Sequence, residues 1–345
     1  MRNATLQKFS CMLAMHLLFS ASAIAGPLGE QWIKITAPWS ARGGFSLASH
    51  NNYVWLLGGA ISAWDGNGDL IISESYRDVF RSSDGKNWTH ISSSLPVSTG
   101  HAAIGFQDRL WLFLNFAIYT SLDGIEWHVM SATSPWGSRS WPQSAVVIDN
   151  AIYVSTSAHV TGSVYRYEVW HSNDGIVWAN IFSIEMLWAP YRHLALLSFQ
   201  NDLWVMGERA DQVWKWENGA MQEVLQVQPA PAAAFNQYRV VSSGDRLWLF
   251  INNLSLHRFQ LYYSDDGQHW YDSGKSFRDD IGSDGLVYHN PNIIMVRGRF
   301  AYGVTIYIST DAHSADTDFD MNISLSELLR VVYLYNANQF YACTT

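Results

Sequence analysis

Cysteine is almost missing from this 345-residue chain: it has two, Cys11 and Cys343. Cys11 falls in a stretch read below as a cleaved leader, so the mature chain keeps one thiol and no intramolecular disulfide is expected. Charge is also scarce, at 15% of residues, with 21 Lys+Arg against 30 Asp+Glu. That balance supplies no basic face for phosphates, which excludes nucleic acid as a partner and argues against an anionic membrane surface. No apolar run reaches about 18 residues, so no transmembrane helix is expected. The 12 histidines are scattered rather than clustered for a metal. A Gly-rich phosphate loop and a Ser/His/Asp signature are both lacking. Aromatics are abundant instead: 17 Trp, 17 Tyr and 16 Phe, too many for a disordered chain.

The N-terminus reads as a secretory signal over residues 1–25. Arg2 and Lys8 give it a positive start, Phe9–Phe19 is mainly apolar, and Ala23-Ile24-Ala25 ends it in a small-x-small pattern. The expectation is a soluble, monomeric protein, secreted or held in the periplasm or at the cell surface. Loss of Arg2 and Lys8 leaves 19 basic against 30 acidic residues, a formal charge of −11.

The aromatics recur in order. Phe80-Arg-Ser-Ser-Asp-Gly-Lys-Asn-Trp88 returns as Tyr119–Trp127, as Trp170–Trp178 and as Tyr263–Trp270, each with Ser-x-Asp-Gly-x-x-Trp or a close variant. Asp-Gly suits a tight turn because Gly takes positive φ freely, and the Ser and Asp side chains can cap nearby N–H groups. Four equivalent aspartates read as four structural turns rather than as catalytic groups. A second repeat precedes each turn, anchored at Trp55, Trp111, Tyr153, Trp204 and Trp248, with a weaker sixth copy placed at Ala301. These anchors recur every 42 to 56 residues, the length of one four-stranded propeller blade.

The fourth unit lacks the turn motif and has Val213-Trp-Lys-Trp-Glu-Asn-Gly219 instead. The sixth lacks a final Trp strand, and Gln31-Trp-Ile-Lys-Ile35 matches the missing piece. The fold class expected is therefore all-β: a six-bladed β-propeller over residues 26–312, closed by an N-terminal strand, which leaves no orphan unit at the join.

Ala37-Pro-Trp-Ser-Ala-Arg-Gly-Gly44, Leu57-Gly-Gly59 and Tyr76–Gly85 resemble the kelch-type propellers of secreted bacterial proteins, over about residues 30–312. The turns also resemble Asp boxes. The Gly-Gly pair survives only in the first unit. Such propellers serve as enzymes, glycan binders and protein-interaction platforms, so the resemblance implies a fold and leaves the activity open.

Residues 313–345 differ. Asp316, Asp318, Asp320, Asn322, Ser324 and Glu327 have the spacing of an EF-hand Ca²⁺ loop. Leu325, Leu328, Leu329 and Val332 recur at helical spacing, which predicts a short helix over about 324–336. This tail resembles the single EF-hand-like or dockerin-like segments of secreted bacterial proteins, and Ca²⁺ is the one cofactor that it implies. Met321 stands where such a loop has Gly, and a capped helix after an acidic loop is the alternative. A second acidic stretch, Asp65–Asp69, lacks the twelfth-position Glu and reads as a solvated loop.

In a propeller, the residues leading into each innermost strand ring the mouth of a central channel. Those positions hold Arg42, His101, Arg139, Trp141, Tyr191, Arg192, His193, Tyr238, Arg239 and His289. Arginine grips carboxylates through paired hydrogen bonds, and aromatic rings stack on sugar faces. The pattern suits a small acidic or sugar ligand, or an acidic protein segment. Arginines that join neighbouring blades are the structural alternative. A glycosidase needs two carboxylates flanking one bond. Glu168, Glu185, Glu208 and Asp211 are available, and repeat position singles out no pair. Three readings stay open: a binding propeller, a carbohydrate-active enzyme such as a sialidase-like glycoside hydrolase, and a structural module displayed at the surface.

Overall fold

The computed structural model describes residues 31–64, 70–162, 164–187, 194–207, 212–226, 238–243, 245–253, 258–278, 283–299 and 303–310. Residues 33–308 form one compact unit. The second unit comprises 1–32 and 309–345, of which only 31, 32, 309 and 310 are described. The expected leader, the acidic stretch 65–69 and the EF-hand-like tail with its helix lie outside the described residues.

All described regular structure is β. The first strand is β1 (Gln31–Thr36). Blade 1 follows with β2 (Ser46–His50) and β3 (Tyr53–Leu57), an inserted hairpin of β4 (Ala60–Trp64) and β5 (Leu70–Ser75), then β6 (Val79–Ser82) and β7 (Thr89–Ser92). Blade 2 is β8 (Ala102–Phe106), β9 (Arg109–Phe113), β10 (Ile118–Ser121) and β11 (His128–Ser131). Blade 3 has the longest strands: β12 (Ser140–Ile148), β13 (Ala151–Thr161), β14 (Val164–Ser172) and β15 (Ala179–Leu187). Blade 4 is β16 (Ala195–Phe199), β17 (Asp202–Met206), β18 (Val213–Glu217) and β19 (Ala220–Glu223). Blade 5 is β20 (Tyr238–Ser242), β21 (Leu247–Asn253), β22 (Arg258–Ser264) and β23 (Tyr271–Arg278). Blade 6 is β24 (Ser283–His289), β25 (Asn292–Arg299) and β26 (Gly303–Thr310), with β1 as its outermost strand.

The ring closes twice over. β1 lies beside β26 in one sheet, and the Ala37 N–H donates to the Val304 carbonyl at 3.0 Å. The innermost strands β2, β8, β12, β16, β20 and β24 also neighbour one another in a closed cycle. Short polar turns set the first hairpin of several blades. Asn51 and Asn52, Asp149 and Asn150, and Gln200 and Asn201 all take positive φ, the geometry of a two-residue hairpin that matches strand twist.

The core lies between blades. One apolar cluster joins Trp55 and Leu57 of blade 1 to Leu110 and Leu112 of blade 2, and another joins Trp111 and Phe113 of blade 2 to Ile152 and Val154 of blade 3. Equivalent clusters join blades 3 and 4, blades 4 and 5, and blades 6 and 1. A lone sheet could not bury both faces; stacking against the next one does it.

Each Ser-x-Asp-Gly turn is capped from within. In the first, Ser82 Oγ accepts the Gly85 N–H at 2.9 Å, and Asp84 Oδ1 accepts the Lys86 and Asn87 N–H groups at 2.8 Å each. The glycine has a second task. At Gly85, φ is +72°, and a Cβ there would meet Ile294 Cδ1 of blade 6 at 2.6 Å. Gly124 sits likewise 2.6 Å from the Trp55 ring, Gly175 against the Trp111 ring, and Gly267 against the Trp204 ring. Every one of these turns therefore plugs onto the second-strand anchor of the preceding blade. The sixth anchor needs correcting. His289 pairs with Asn292 as His50 pairs with Tyr53, which makes Ile294 the equivalent of Trp55. Ala301, the position expected, falls between β25 and β26 and outside the described residues.

Candidate functional site

The six inner strands enclose a cavity of about 390 Å³, lined by Phe45–Ser49 and by stretches of β8, β12, β16, β20 and β24. Each inner strand is paired on one side only, so its free edge turns toward the channel. The side chains around it are small or aliphatic, with Ser46, Ser49, His101, Gln143, Ser242 and Tyr288 among the polar ones. Among the described lining residues none is charged at neutral pH.

His101 is the most buried polar group of this wall, 8% exposed. The Ser46 hydroxyl donates to the His101 carbonyl at 2.8 Å and so receives the ring N–H at Nδ1, 2.7 Å away. Nε2 is then left as an acceptor, buried and without a hydrogen-bond partner. Burial lowers the ring pKa to about 4, against the weaker opposing pull of the Ser98 and His101 carbonyls, and the imidazole is neutral at pH 7. At the other end of β2, Ser49 Oγ contacts His289 Nδ1 at 2.9 Å, and burial again lowers the histidine's pKa; His289 ends β24 as His50 ends β2, so it lies at the hairpin end of its strand rather than at the expected entry.

The structure separates the other expected mouth residues. Arg42 is buried in blade 1: it pairs with Asp78 at 3.0 Å, donates to the Ser40 and Gly58 carbonyls, and stacks 3.9 Å over the Tyr76 ring. Its guanidinium holds the inserted hairpin's base rather than facing the channel. Tyr238 is buried and donates to the Met206 carbonyl at 2.9 Å, tying blade 5 to blade 4. Arg239 is half-buried, with Nη1 donating to the Tyr238 carbonyl at 2.8 Å. Arg139 and Trp141 are exposed on either side of buried Ser140. Tyr191, Arg192 and His193 lie outside the described residues, as do Glu208, Asp211 and the tail's Ca²⁺-loop residues. Glu185 pairs with Arg166 at 2.9 Å on the blade 3 extension and does not line the cavity.

Two features escaped the sequence reading. Gln143 links blades 3 and 4: its Oε1 accepts the Leu194 N–H at 3.1 Å, while its Nε2 donates to Ser157 Oγ at 2.8 Å. A glutamine two residues after Trp141, at the start of the apolar run Ala145–Ile148, was the available signal. The loop carrying Phe116, 47% exposed, is fixed against the approach to β12, since Ser134 Oγ donates to the Asn115 carbonyl and Asn115 Nδ2 to the Ser138 carbonyl. Phe116, Arg139 and Trp141 thus belong to one stretch of rim at the junction of blades 2 and 3.

No family model matches the chain, and no curated protein matches its sequence. Solved structures do match. One is the Hadza microbial sialidase Hz136, at TM-score 0.51 and 10% identity, covering 78% of this chain and 66% of that one. This chain thus spans about two thirds of that sialidase. Another is the SapL1 lectin in complex with alpha methyl fucoside, at TM-score 0.50 and 15% identity, covering 77% and 92%. A third is the subtype N11 neuraminidase-like protein of A/flat-faced bat/Peru (H18N11), at TM-score 0.50 and 9% identity, covering 84% and 95%. At such identities the likeness is one of fold alone, and the chain stands as a six-bladed β-propeller.

Proposed function

We propose that this protein is an exported sugar-binding propeller that holds its ligand without cleaving it, on the channel-mouth rim formed by Arg139, Trp141 and Phe116. Trp141 is the observation that carries the proposal. Among the tryptophans whose burial is described, it is the one that the fold leaves exposed, at 47%. Burying such a ring would stabilise the fold by roughly 1.5–3 kcal/mol. An exposed ring beside an exposed guanidinium suits a ligand with an apolar C–H face and hydroxyls or a carboxylate at its edge. Fold relatives whose names include a fucoside-bound lectin and a sialidase are compatible with this ligand class.

Binding is favoured over hydrolysis by the carboxylates. A glycosidase acid needs a raised pKa. Among the described residues, the aspartates with a displaced pKa, Asp84, Asp123, Asp174 and Asp266, are all displaced downward, and all sit in the repeated turns. Removal of residues 1–25 on export, and Ca²⁺ capture by Asp316 to Glu327, complete the proposal.

A glycan array followed by calorimetry on the best ligand tests the proposal. Expected is a saturable complex, glycan masses unchanged after long incubation, and at least about tenfold weaker binding in Trp141→Ala. Cleaved product, or equal affinity in that variant, would overturn it.

A further inference from the structure

The Ser-x-Asp-Gly turns close at the hairpin ends of the blades, where Ser172 pairs with Ile152, away from the strand entry at Ser140. In blades 2 and 3 these turns expose aliphatic side chains: Leu122 and Ile125 at 55% and 48%, Ile176 and Val177 at 64% and 73%. The turn itself does not require them. The equivalent positions hold Ser83, Lys86 and Asn87 in blade 1, and Asp265, Gln268 and His269 in blade 5, with the same Ser and Asp caps. The two apolar turns adjoin. Gly175 sits against the Trp111 ring of blade 2, and Trp111 pairs with Thr120, two residues before Leu122. After Trp127 the chain enters β11, the outermost strand of blade 2, where Val129 and Met130 are 56% and 37% exposed. The exposed pair in the corresponding strand β7 is Thr89 and His90.

Carboxylates flank this aliphatic patch, and no Lys or Arg occurs in 119–131 or 170–178. Asp123 accepts the Ile125 and Glu126 N–H groups, and Asp174 those of Val177 and Ile176, which lowers both pKa values and keeps both carboxylates ionised at neutral pH. Glu126 is exposed beside Ile125.

We propose that the outer end of blade 2, with the blade 3 turn beside it, is a docking surface for a short segment of a partner protein that carries aliphatic side chains flanked by Lys or Arg. Basic flanks on the partner turn the surrounding carboxylates into an attraction. A second copy of this chain fits poorly, because a two-fold contact sets those carboxylates against one another. The area points the same way. Six partly exposed side chains of this size supply roughly 200–400 Å² of apolar surface. That suits one peptide segment rather than the ~800 Å² per partner of a standard interface. A bilayer fits poorly too, since burying Asp123, Glu126 and Asp174 without counter-ions is costly. The surface shares no residue with the sugar-binding rim, so each proposal can fail alone.

The test uses the full chain with labelled Leu, Ile and Val methyls, followed by NMR. It is titrated with an acetylated peptide of Leu-Val-Leu-Val between paired lysines, and with the counterpart in which glutamates replace the lysines. Expected are saturable binding of the lysine peptide, methyl shifts centred on Leu122, Ile125, Val129 and Ile176, and at least about tenfold weaker binding of the glutamate peptide. Two variants install blade 1's own residues in the blade 2 turn, so the same turn already folds with them: Leu122→Ser, which leaves the charge unchanged, and Ile125→Lys. Leu122→Ser should weaken the lysine peptide about fivefold, and Ile125→Lys by more. The methyl map needs no variant. No saturable binding, shifts centred elsewhere, or full affinity in Leu122→Ser would overturn the proposal. So would a dimer in sedimentation velocity that Ile125→Lys disperses, which would assign the patch to a second copy. Binding to phosphatidylcholine vesicles that the same variant abolishes would overturn it in favour of a membrane.

Discussion

The joint between blades 3 and 4 differs from the four joints at which a Ser-x-Asp-Gly turn is described. At the joints between blades 6 and 1, 1 and 2, 2 and 3, and 4 and 5, a Ser-x-Asp-Gly turn presses its glycine onto the preceding blade's anchor, and those anchors, Ile294, Trp55, Trp111 and Trp204, are between 0% and 4% exposed. Blade 4 has no such turn. Glu217 pairs with Ala220 across Asn218 and Gly219, whose φ values of 54° and 78° make a two-residue hairpin. A Cβ on Gly219 would meet nothing within 4 Å. The anchor left without a plug is Tyr153 of blade 3. It is half-buried, lies 4.8 Å from the His171 ring at a tilted angle, and has its phenol pKa raised by burial and by Asp149. Among the six anchors, Tyr153 is the one with a hydroxyl. Where it occurs, the Asp-Gly turn is a part of the joint between blades.

The largest effect expected from this contrast comes from removing the anchors themselves. Trp111→Ala should destabilise the ring by about 3–5 kcal/mol, the usual range for a fully buried large aromatic. Tyr153→Ala should lose about half as much, because its ring is only half withdrawn from water. Urea midpoints at pH 7 measure both. Equal losses would mean that the plug contributes nothing to anchor burial.

Changing the plug gives the next effect. Gly175→Ala puts a Cβ into the Trp111 ring at a backbone φ of +74°, so strain and overpacking add to about 2–4 kcal/mol. Gly219→Ala meets the same φ penalty with open space around it and should lose about 1 kcal/mol. A Gly175 variant no worse than the Gly219 variant would show that the turn needs glycine only for its φ.

Much of this joint was legible in the sequence. The repeat length, the four Asp-Gly turns and the strand donated by Gln31–Ile35 all follow from periodicity, because a propeller repeats its burial pattern once per blade. The sixth anchor was misplaced because Ile294 has no ring to mark it, and Arg299–Tyr302 carries the aromatic that mimics the motif. The mouth residues were harder to sort. Position in the repeat places Arg42 and Arg139 alike, but Asp78 and Tyr76, which bury Arg42, come from an insertion that breaks the repeat. Tyr238 was named for its ring and is held by its hydroxyl across a blade boundary. Such long-range partners leave no periodic trace.

The smallest effect separates the charged turns from the neutral one. Asp266 is partly buried, which opposes its ionisation, but the N–H groups of His269 and Gln268 and the His269 ring outweigh this and lower its pKa to about 2. Its ionised form therefore stabilises the fold above the unfolded pKa near 3.8, and the contribution fades as pH falls toward 2. With the side chain 49% exposed, solvent screening limits it to about 1 kcal/mol. Asp266→Asn should lose that amount at pH 7, and the gap to the parent protein should close as pH approaches 2. His101 also titrates in acid, with the opposite origin. Its folded-state pKa of about 4 lies below 6.5, so the unfolded chain takes up the proton first and stability falls between those values. That loss is common to both proteins and cancels in the difference. Asn218→Asp, in the blade 4 hairpin, should leave the acid profile within about 0.5 kcal/mol of the parent. A gap at Asp266 that stays constant down to pH 2, measured by urea unfolding at each pH, would show that the carboxylate's hydrogen bonds, rather than its charge, hold the turn.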